Sequence, residues 1–346
     1  MRIRHVGIER QNEEFLPPEP ESWISRRAFL GTAIGGGGAL VCRAQSADQQ
    51  MPVADPLSGI GQPARQLLLT ATRDKSFRGR IPAATVEELL RFERKSAEGL
   101  MLSLLPLAKS LSRPPLSNFL VGSVIRGTSG SIYLGANIEV PGRSLSLTVH
   151  AEQAAIANAY MSGEAAIAAI ALGEAPCGHC RQFLYEVSPD GALRILMTGA
   201  PPTKLSALLP MAFGPNDMGL KQGAFPIRRR ALSLAPTPAD PLIRAALEAA
   251  QQSYAPYTSS PSGIAIATRD SRVFQGSYIE NAAFNPSLPP LEAALAGLFA
   301  ARKDAHELAR AVLIESATSR ITQEGATRDV LSSLAPNARI EVLKAN

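Results

Sequence analysis

Cysteine and histidine are rare in this chain: three and four, respectively, in 346 residues. A disulfide-stapled secreted scaffold needs a denser and even set of cysteines, so that class is excluded. Aromatic residues make up only 5%, and alanine carries much of the apolar fraction. After the N-terminal region no apolar run approaches the roughly 18 residues that span a bilayer, so no stable membrane span is expected. Neither sign of charge dominates, with 35 Lys and Arg against 30 Asp and Glu. The longest basic run, Arg228-Arg229-Arg230, is too short to track a phosphate backbone and reads as a solvated connector. What remains is a globular chain of about two or three domains, long enough to bury sizeable cores without staples.

The scarce residues are not scattered. Cys177, Cys180, His150 and His179 fall within one short stretch, leaving Cys42, His5 and His306 elsewhere. Clustering of ligand-type residues carries more information than their number.

Cys42 belongs to a different kind of segment. Ser25-Arg26-Arg27-Ala28-Phe29-Leu30-Gly31-Thr32-Ala33 precedes a weakly apolar, glycine-rich stretch and the small residues around Ala44-Gln45-Ser46. That order resembles a twin-arginine export signal and implies a periplasmic location. Val41 before Cys42 is not the small residue that lipidation needs. The alternative is a start at Met51 and a cytoplasmic protein. Either way residues 1–50 stand outside the fold.

Residues 51–115 read as a small helical region. Thr85-Val86-Glu87-Glu88 has the form of a capping box opening the run from Leu89, and a second apolar helix is expected from about Leu100 to Leu111. The period then changes. Phe119 to Ile125 and Ser131 to Leu134 are β-type runs joined by Gly127-Thr128-Ser129-Gly130, a hairpin. A helix over 150–162, a strand over 167–172, a helix over 178–187 and a strand over 193–197 follow. This order predicts an α/β domain over 116–221 with helices packed on a mixed sheet. Proline-rich residues 222–240 read as a linker. Over 241–346 the order repeats, and Gly276-Ser277-Tyr278-Ile279-Glu280 matches Gly135-Ala136-Asn137-Ile138-Glu139, pointing to an internal duplication.

The chemistry lies in His150-Ala151-Glu152 and Pro176-Cys177-Gly178-His179-Cys180. This His-x-Glu and Pro-Cys-x-x-Cys pattern is that of zinc-dependent nucleobase deaminases. His150, Cys177 and Cys180 supply three ligands and leave a fourth tetrahedral position open for water. Cysteines three apart at a helix start share a face, and the positive helix end favours their thiolates. Zinc brings the pKa of a bound water toward ~7, and Glu152 is placed to move its proton without binding the metal. A structural zinc site would need His179 as fourth ligand, yet its neighbour Cys180 turns it away, and such a site gives Glu152 no task. Arg181 and Gln182 read as packing or surface groups, with a bond from Arg181 to a thiolate as the alternative.

Together with Pro115-Leu116-Ser117-Asn118-Phe119, Thr148-Val149-His150-Ala151-Glu152-Gln153, Ala212-Phe213-Gly214-Pro215 and Glu280-Asn281-Ala282-Ala283-Phe284-Asn285-Pro286, these motifs resemble cytidine deaminase in its long, homodimeric form, over about residues 80 to 343. The resemblance implies a three-layer α/β/α sandwich duplicated in the chain. The first copy would bind one zinc and deaminate cytidine and 2′-deoxycytidine. The second would be degenerate, with Pro289 at the ligand position and Leu291 at the proton shuttle. It further implies that Phe119 stacks on the pyrimidine and that Asn137 and Glu139 bind ribose hydroxyls. Phe213, Ala283 and Phe284 would reach the site of the other subunit. Leu120 departs from an asparagine common in the family, and an export-type leader is unusual for a salvage enzyme. Two other readings stay open. One is a polynucleotide cytosine deaminase, which would need a basic, aromatic channel that the sequence does not display. The other is an exported zinc- or nucleoside-binding protein without catalysis, against which the intact Glu152 argues.

Overall fold

The computed structural model describes residues 55–346; the export-type leader read at residues 1–50, with Cys42, lies outside the described residues. Four helices come first: α1 (Gln62–Arg73), α2 (Ala83–Glu93), α3 (Ala97–Ser103) and α4 (Leu105–Lys109). A two-residue strand, β1 (Arg80–Ile81), lies between α1 and α2. The capping box expected at Thr85 does not form. Helix α2 starts earlier, after Pro82 in extended backbone at φ −61° and ψ 152°. The alanines that follow are strong helix formers, so Thr85 and Glu88 already lie inside the helix. The single apolar helix expected near residues 100–111 is two, because Pro106 in the first turn of α4 has no N–H to continue α3.

The hairpin β2 (Gly122–Gly127) and β3 (Ile132–Ala136) then leads to α5 (Ala151–Met161), β4 (Ile167–Leu172), α6 (Gly178–Val187) and β5 (Arg194–Met197), with the short β6 (Thr203–Lys204) and α7 (Leu205–Leu208) closing the first half. The second half runs α8 (Pro241–Gln251), β7 (Ser262–Thr268), β8 (Val273–Ser277), α9 (Pro290–Ala300), β9 (Leu308–Ser316), α10 (Glu324–Leu334) and β10 (Arg339–Ala345). The sheets order as β1-β3-β2-β4-β5-β6 and β10-β9-β7-β8. In each, the first hairpin strand has antiparallel neighbours on both sides and the last crossover is parallel. Even the irregularities recur: the register shifts between Arg126 and Gly127 and again between Ala267 and Thr268. The fold is therefore a duplicated α/β fold.

Side chains alternate across a strand, and here alternation sorts each sheet into two cores. Val124, Ile132, Leu134, Ala169, Ala171 and Leu196 face α1 to α4, whereas Ile125, Tyr133, Ile170, Leu172 and Ile195 face α5 and α6. In the second sheet Ala265, Val312 and Ile314 pack on α8, while Ile264, Ile266, Phe274, Ala311 and Leu313 face α9 and α10. Each copy is thus three-layered. The inner clusters of both copies merge into one core, where α5 packs on α9. The segment 222–240 has no helix or strand, yet Ala224, Phe225 and Leu232 are buried, so it is anchored to the body at these points.

One glycine in each copy sets how closely a helix sits on its sheet. A Cβ at Gly135 would fall 2.2 Å from the Ala155 nitrogen and 2.4 Å from the Ala151 oxygen. At Gly276 it would fall 2.0 Å from the Pro290 oxygen. Only glycine permits this approach, and it fixes the start of α5 directly over the end of β3.

Glu292 of α9 occupies the place that Gln153 holds in α5, third in its helix. It is 2% exposed, and neither carboxylate oxygen has a hydrogen-bond partner. Burial pushes its carboxyl up from 4.5 to about 7. An acid whose folded pKa is raised contributes stability that is present below 4.5 and lost as pH rises through about 7. The loss above pH 7 is about 3 kcal/mol. Glu292→Gln should therefore raise the melting temperature at pH 8 and change it little at pH 5. Equal shifts at both pH values would contradict this account.

Candidate metal centre and substrate site

The metal-ligand candidates sit at the starts of two helices. His150 precedes α5 in extended backbone at φ −80° and ψ 152°. Cys177 precedes α6 at φ −68° and ψ 168°, and Cys180 is the third residue of that helix. Both helix starts present N–H groups that have no partner within the helix, and positive dipole ends, which favour thiolate and carboxylate there.

The imidazole and thiol ligand atoms of His150, Cys177 and Cys180 all lie within 4.8 Å of one another, and this is the only such group among the described residues. Cys177 Sγ is 3.6 Å from His150 Nδ1. Zn–S and Zn–N bonds at a tetrahedral angle place sulfur and nitrogen about 3.6 Å apart. The donor set and its spacing therefore fit zinc.

The thiols are electrostatically unequal. A hydrogen bond from the Cys180 thiol, aided by the backbone N–H groups of Cys180 and His179, lowers the Cys177 pKa to about 4. The same hydrogen bond, together with burial, raises that of Cys180. Of the two, Cys177 is held toward the thiolate and Cys180 toward the thiol. Glu152, in the first turn of α5, is 6% exposed. Burial raises its carboxyl above the usual range, against hydrogen bonding to Cys180 and the charge of His150. A buried carboxyl with a raised pKa beside a metal-ligand set is suited to holding and releasing a proton.

His179, read as a bystander, stacks on His150 with ring centroids 4.9 Å apart and planes at 24°. It buttresses a ligand rather than serving as one. Arg181 donates to the Pro176 and Leu208 backbone oxygens, not to a thiolate.

Asn137 and Glu139 flank Ile138, which exchanges two backbone hydrogen bonds of 2.9 Å with Val149, the residue before His150. Both polar side chains hold the loop that carries Phe119. Asn137 Nδ2 donates to the Phe119 oxygen (2.9 Å) and its Oδ1 accepts from Val121 N (3.0 Å). The Glu139 carboxylate accepts from Leu116 N (2.7 Å), Ser117 N (3.0 Å) and the Ser117 hydroxyl. A carboxylate offers about four lone-pair sites, and an amide two donors and two lone pairs, so each keeps capacity for a sugar hydroxyl. Phe119 is 56% exposed, free to stack on a planar ligand.

The second half repeats the clamp without the centre. Glu280 accepts from Tyr257 N, Thr258 N and the Thr258 hydroxyl. Pro289 precedes α9 as His150 precedes α5, and Leu291 stands where Glu152 does. Ser260 follows the left-handed Ser259 (φ 54°) as Phe119 follows the left-handed Asn118 (φ 55°). Its hydroxyl accepts from Arg320 N and Ile321 N. The chain's own β9–α10 connection thus occupies that place.

Phe213 and the turn bearing Ala283 and Phe284 meet at Gln182, a residue that sequence reasoning assigned to packing or surface. Its Nε2 donates to the Phe213 oxygen (2.7 Å) and to Asn281 Oδ1 (3.4 Å). No hydrogen bond joins Phe213, Ala283 or Phe284 to His150, Glu152, Cys177 or Cys180. Gln153 and Glu186 were also missed, and both tie the metal-binding helices to the second half. The available signal was Glu186 three residues after the buried Phe183, on the inward face of an amphipathic helix.

Two family models match the chain, over residues 94–193 and 205–328, both described as the cytidine and deoxycytidylate deaminase zinc-binding region. The chain is 43% identical to the cytidine deaminase of Shewanella pealeana over 262 residues, 76% of this chain and 88% of that protein. For that of Shewanella loihica the identity is 42% over the same shares. A solved cytidine deaminase from Mycobacterium tuberculosis is 29% identical, covering 35% of this chain and 99% of its own, with a TM-score of 0.32.

Proposed function

The chain belongs to the cytidine deaminase family, and from that premise we propose that it hydrolyses cytidine and 2′-deoxycytidine to the uridines and ammonia, using zinc held by His150, Cys177 and Cys180. The observation that carries this reading is the three-ligand group with the buried Glu152 beside it. When bound, zinc lowers the pKa of a coordinated water to about 7. The chain's own residues do the rest. Phe119 stacks on the pyrimidine, and the spare donors and acceptors of Asn137 and Glu139 orient the ribose. Glu152 takes one proton from the water as its oxygen adds to C4 and gives that proton to the ring nitrogen N3. It then moves the second, from the new C4 hydroxyl, to the amine, whose bond to C4 breaks. Protonation at N3 makes C4 more electrophilic, and protonation of the amine lets it leave as ammonia.

The test is a cytidine-to-uridine assay on purified, zinc-loaded protein, with metal content and ammonia measured together. Uridine and ammonia should appear in equal amounts, and single-stranded DNA or RNA should remain unedited. Cytidine bound without turnover at full zinc would overturn the reading in favour of a binding protein.

Two copies would form the working unit. Phe213 and Phe284 are 49% and 57% exposed, a cost that a second copy covering them would remove. Light scattering of the purified protein should give twice the chain mass. The Arg26-Arg27 leader supports export to the periplasm, with a cytoplasmic protein as the outcome if translation starts at Met51. Mass spectrometry of the mature N-terminus in each cell fraction separates cleavage in the mid-40s from a start at Met51.

A further inference from the structure

Glu186 lies two turns beyond the thiol ligands on α6 and is fully buried. A lone buried carboxylate is costly unless its oxygens are paired, and every partner of this one comes from the metal-free half. Oε1 accepts from the hydroxyls of Tyr254 (2.6 Å) and Tyr257 (2.5 Å), and Oε2 accepts from Ala282 N (2.9 Å). The two phenol rings meet edge to face. Tyr257 N in turn donates to Glu280 at 2.8 Å, so the carboxylate gathers two separate segments of the second half onto α6.

The gathered turn is the one that presents Phe284. That residue has φ 63° and is 57% exposed. A non-glycine residue holds a left-handed conformation only where its surroundings over-determine it. Here they do so from both metal-binding helices. Asn281 Nδ2 donates to the Gln182 oxygen at 3.0 Å, and Ala282 N is held by Glu186. At the far end, Gln153 Nε2 donates to the Pro286 oxygen at 3.1 Å while its Oε1 accepts from the backbone N–H of His150 at 3.2 Å.

We propose that Glu186 is a positioning residue for the deamination: its buried carboxylate locks the Asn281–Phe284 turn of the metal-free half to the helix that carries Cys177 and Cys180, and so fixes where Phe284 is presented. This rests on the cytidine deaminase reading and adds to it a reason for keeping a second half that binds no metal. The carboxylate acts through the turn and touches neither substrate nor metal.

The test is a double-mutant cycle in the full zinc-loaded protein. Glu186→Leu leaves the Ala282 N–H and two phenols without an acceptor. It should raise KM for cytidine about tenfold while kcat stays within about twofold, the pattern of lost uniform binding. Glu186→Gln should recover most of the wild-type KM, since its carbonyl can still accept from Ala282 N while the phenols rotate to accept from its amide. In a Phe284→Ala background Glu186→Leu should add no further rise in KM, because both changes remove one interaction. Should Glu186→Leu not fold, Asn281→Ala loosens the same turn from the loop side and should show the same non-additivity. Multiplying effects, or a fall in kcat that matches the loss of stability with KM unchanged, would overturn the proposal. A wild-type protein inactive on cytidine would instead overturn the functional reading on which it rests.

Discussion

Glu152→Gln should lower kcat for cytidine by about 10³–10⁴-fold while about one zinc per chain stays bound. The glutamine fills the same volume beside His150 and Cys180 but can neither take a proton from water nor return one to the ring nitrogen or the amine. Metal retention is expected because the three ligands are intact and Glu152 is not among them. Stability should hold or rise, since a buried carboxyl whose charged form is penalised by desolvation gives way to a neutral amide. The combination separates this role from a structural one. A misfolded variant would lose zinc and melt early, whereas the proton-shuttle variant keeps both properties and loses only turnover. Metal analysis, thermal melting and single-turnover kinetics on one preparation decide it. Activity within about tenfold of wild type would sink the assignment of Glu152.

The sequence made the metal group legible because its chemistry is local. His150 and Glu152 are two residues apart, Cys177 and Cys180 three, and each pair lies at the start of a helix, α5 being alanine-rich and buried all round and α6 amphipathic. The duplication was legible for the same reason: Gly135 and Gly276 must both be glycine where a helix backbone approaches, and Glu139 and Glu280 both clamp a loop. What sequence spacing could not show is long-range. Glu186 finds its partners about 70 and 96 residues away, and the local sign of its burial, a place on the inward face of α6, does not say what would pair it. The capping box at Thr85 failed differently, as a local signal overruled by a stronger local one, the proline and alanines ahead of it.

The duplication also explains how one half could lose its centre without losing the fold. The loop clamp at Glu280, the close approach at Gly276 and the shared core do not involve a metal. The ligand and proton-shuttle positions could become Pro289 and Leu291 because a proline before a helix and a leucine facing a core are both compatible with α9. The catalytic half keeps the same metal-independent supports. Its ligands are therefore additions to a fold already stable around them.

From that follows the second large effect. Removing zinc with a strong chelator should abolish turnover while leaving the far-ultraviolet circular dichroism unchanged, and adding zinc back should restore activity. A zinc finger would unfold under this treatment, because its metal supplies the folding energy. Here α5 is anchored by Gly135 and by the Gln153–Pro286 hydrogen bond, and α6 by Glu186, none of which needs the ion. The thiols give an independent readout. Cys177 and Cys180 should resist a thiol reagent in the zinc-loaded protein, because both are bound as thiolates. In the stripped protein Cys177 should react first, being exposed and carrying the lowered pKa. Cys180 should follow slowly, since it is buried and its proton is held by its neighbour. In full-length chain Cys42 adds a constant signal to both measurements and does not alter the difference. Two reactive thiols in fully active, zinc-loaded protein would remove these cysteines from the ligand set. Global unfolding on chelation would show instead that the metal carries the fold.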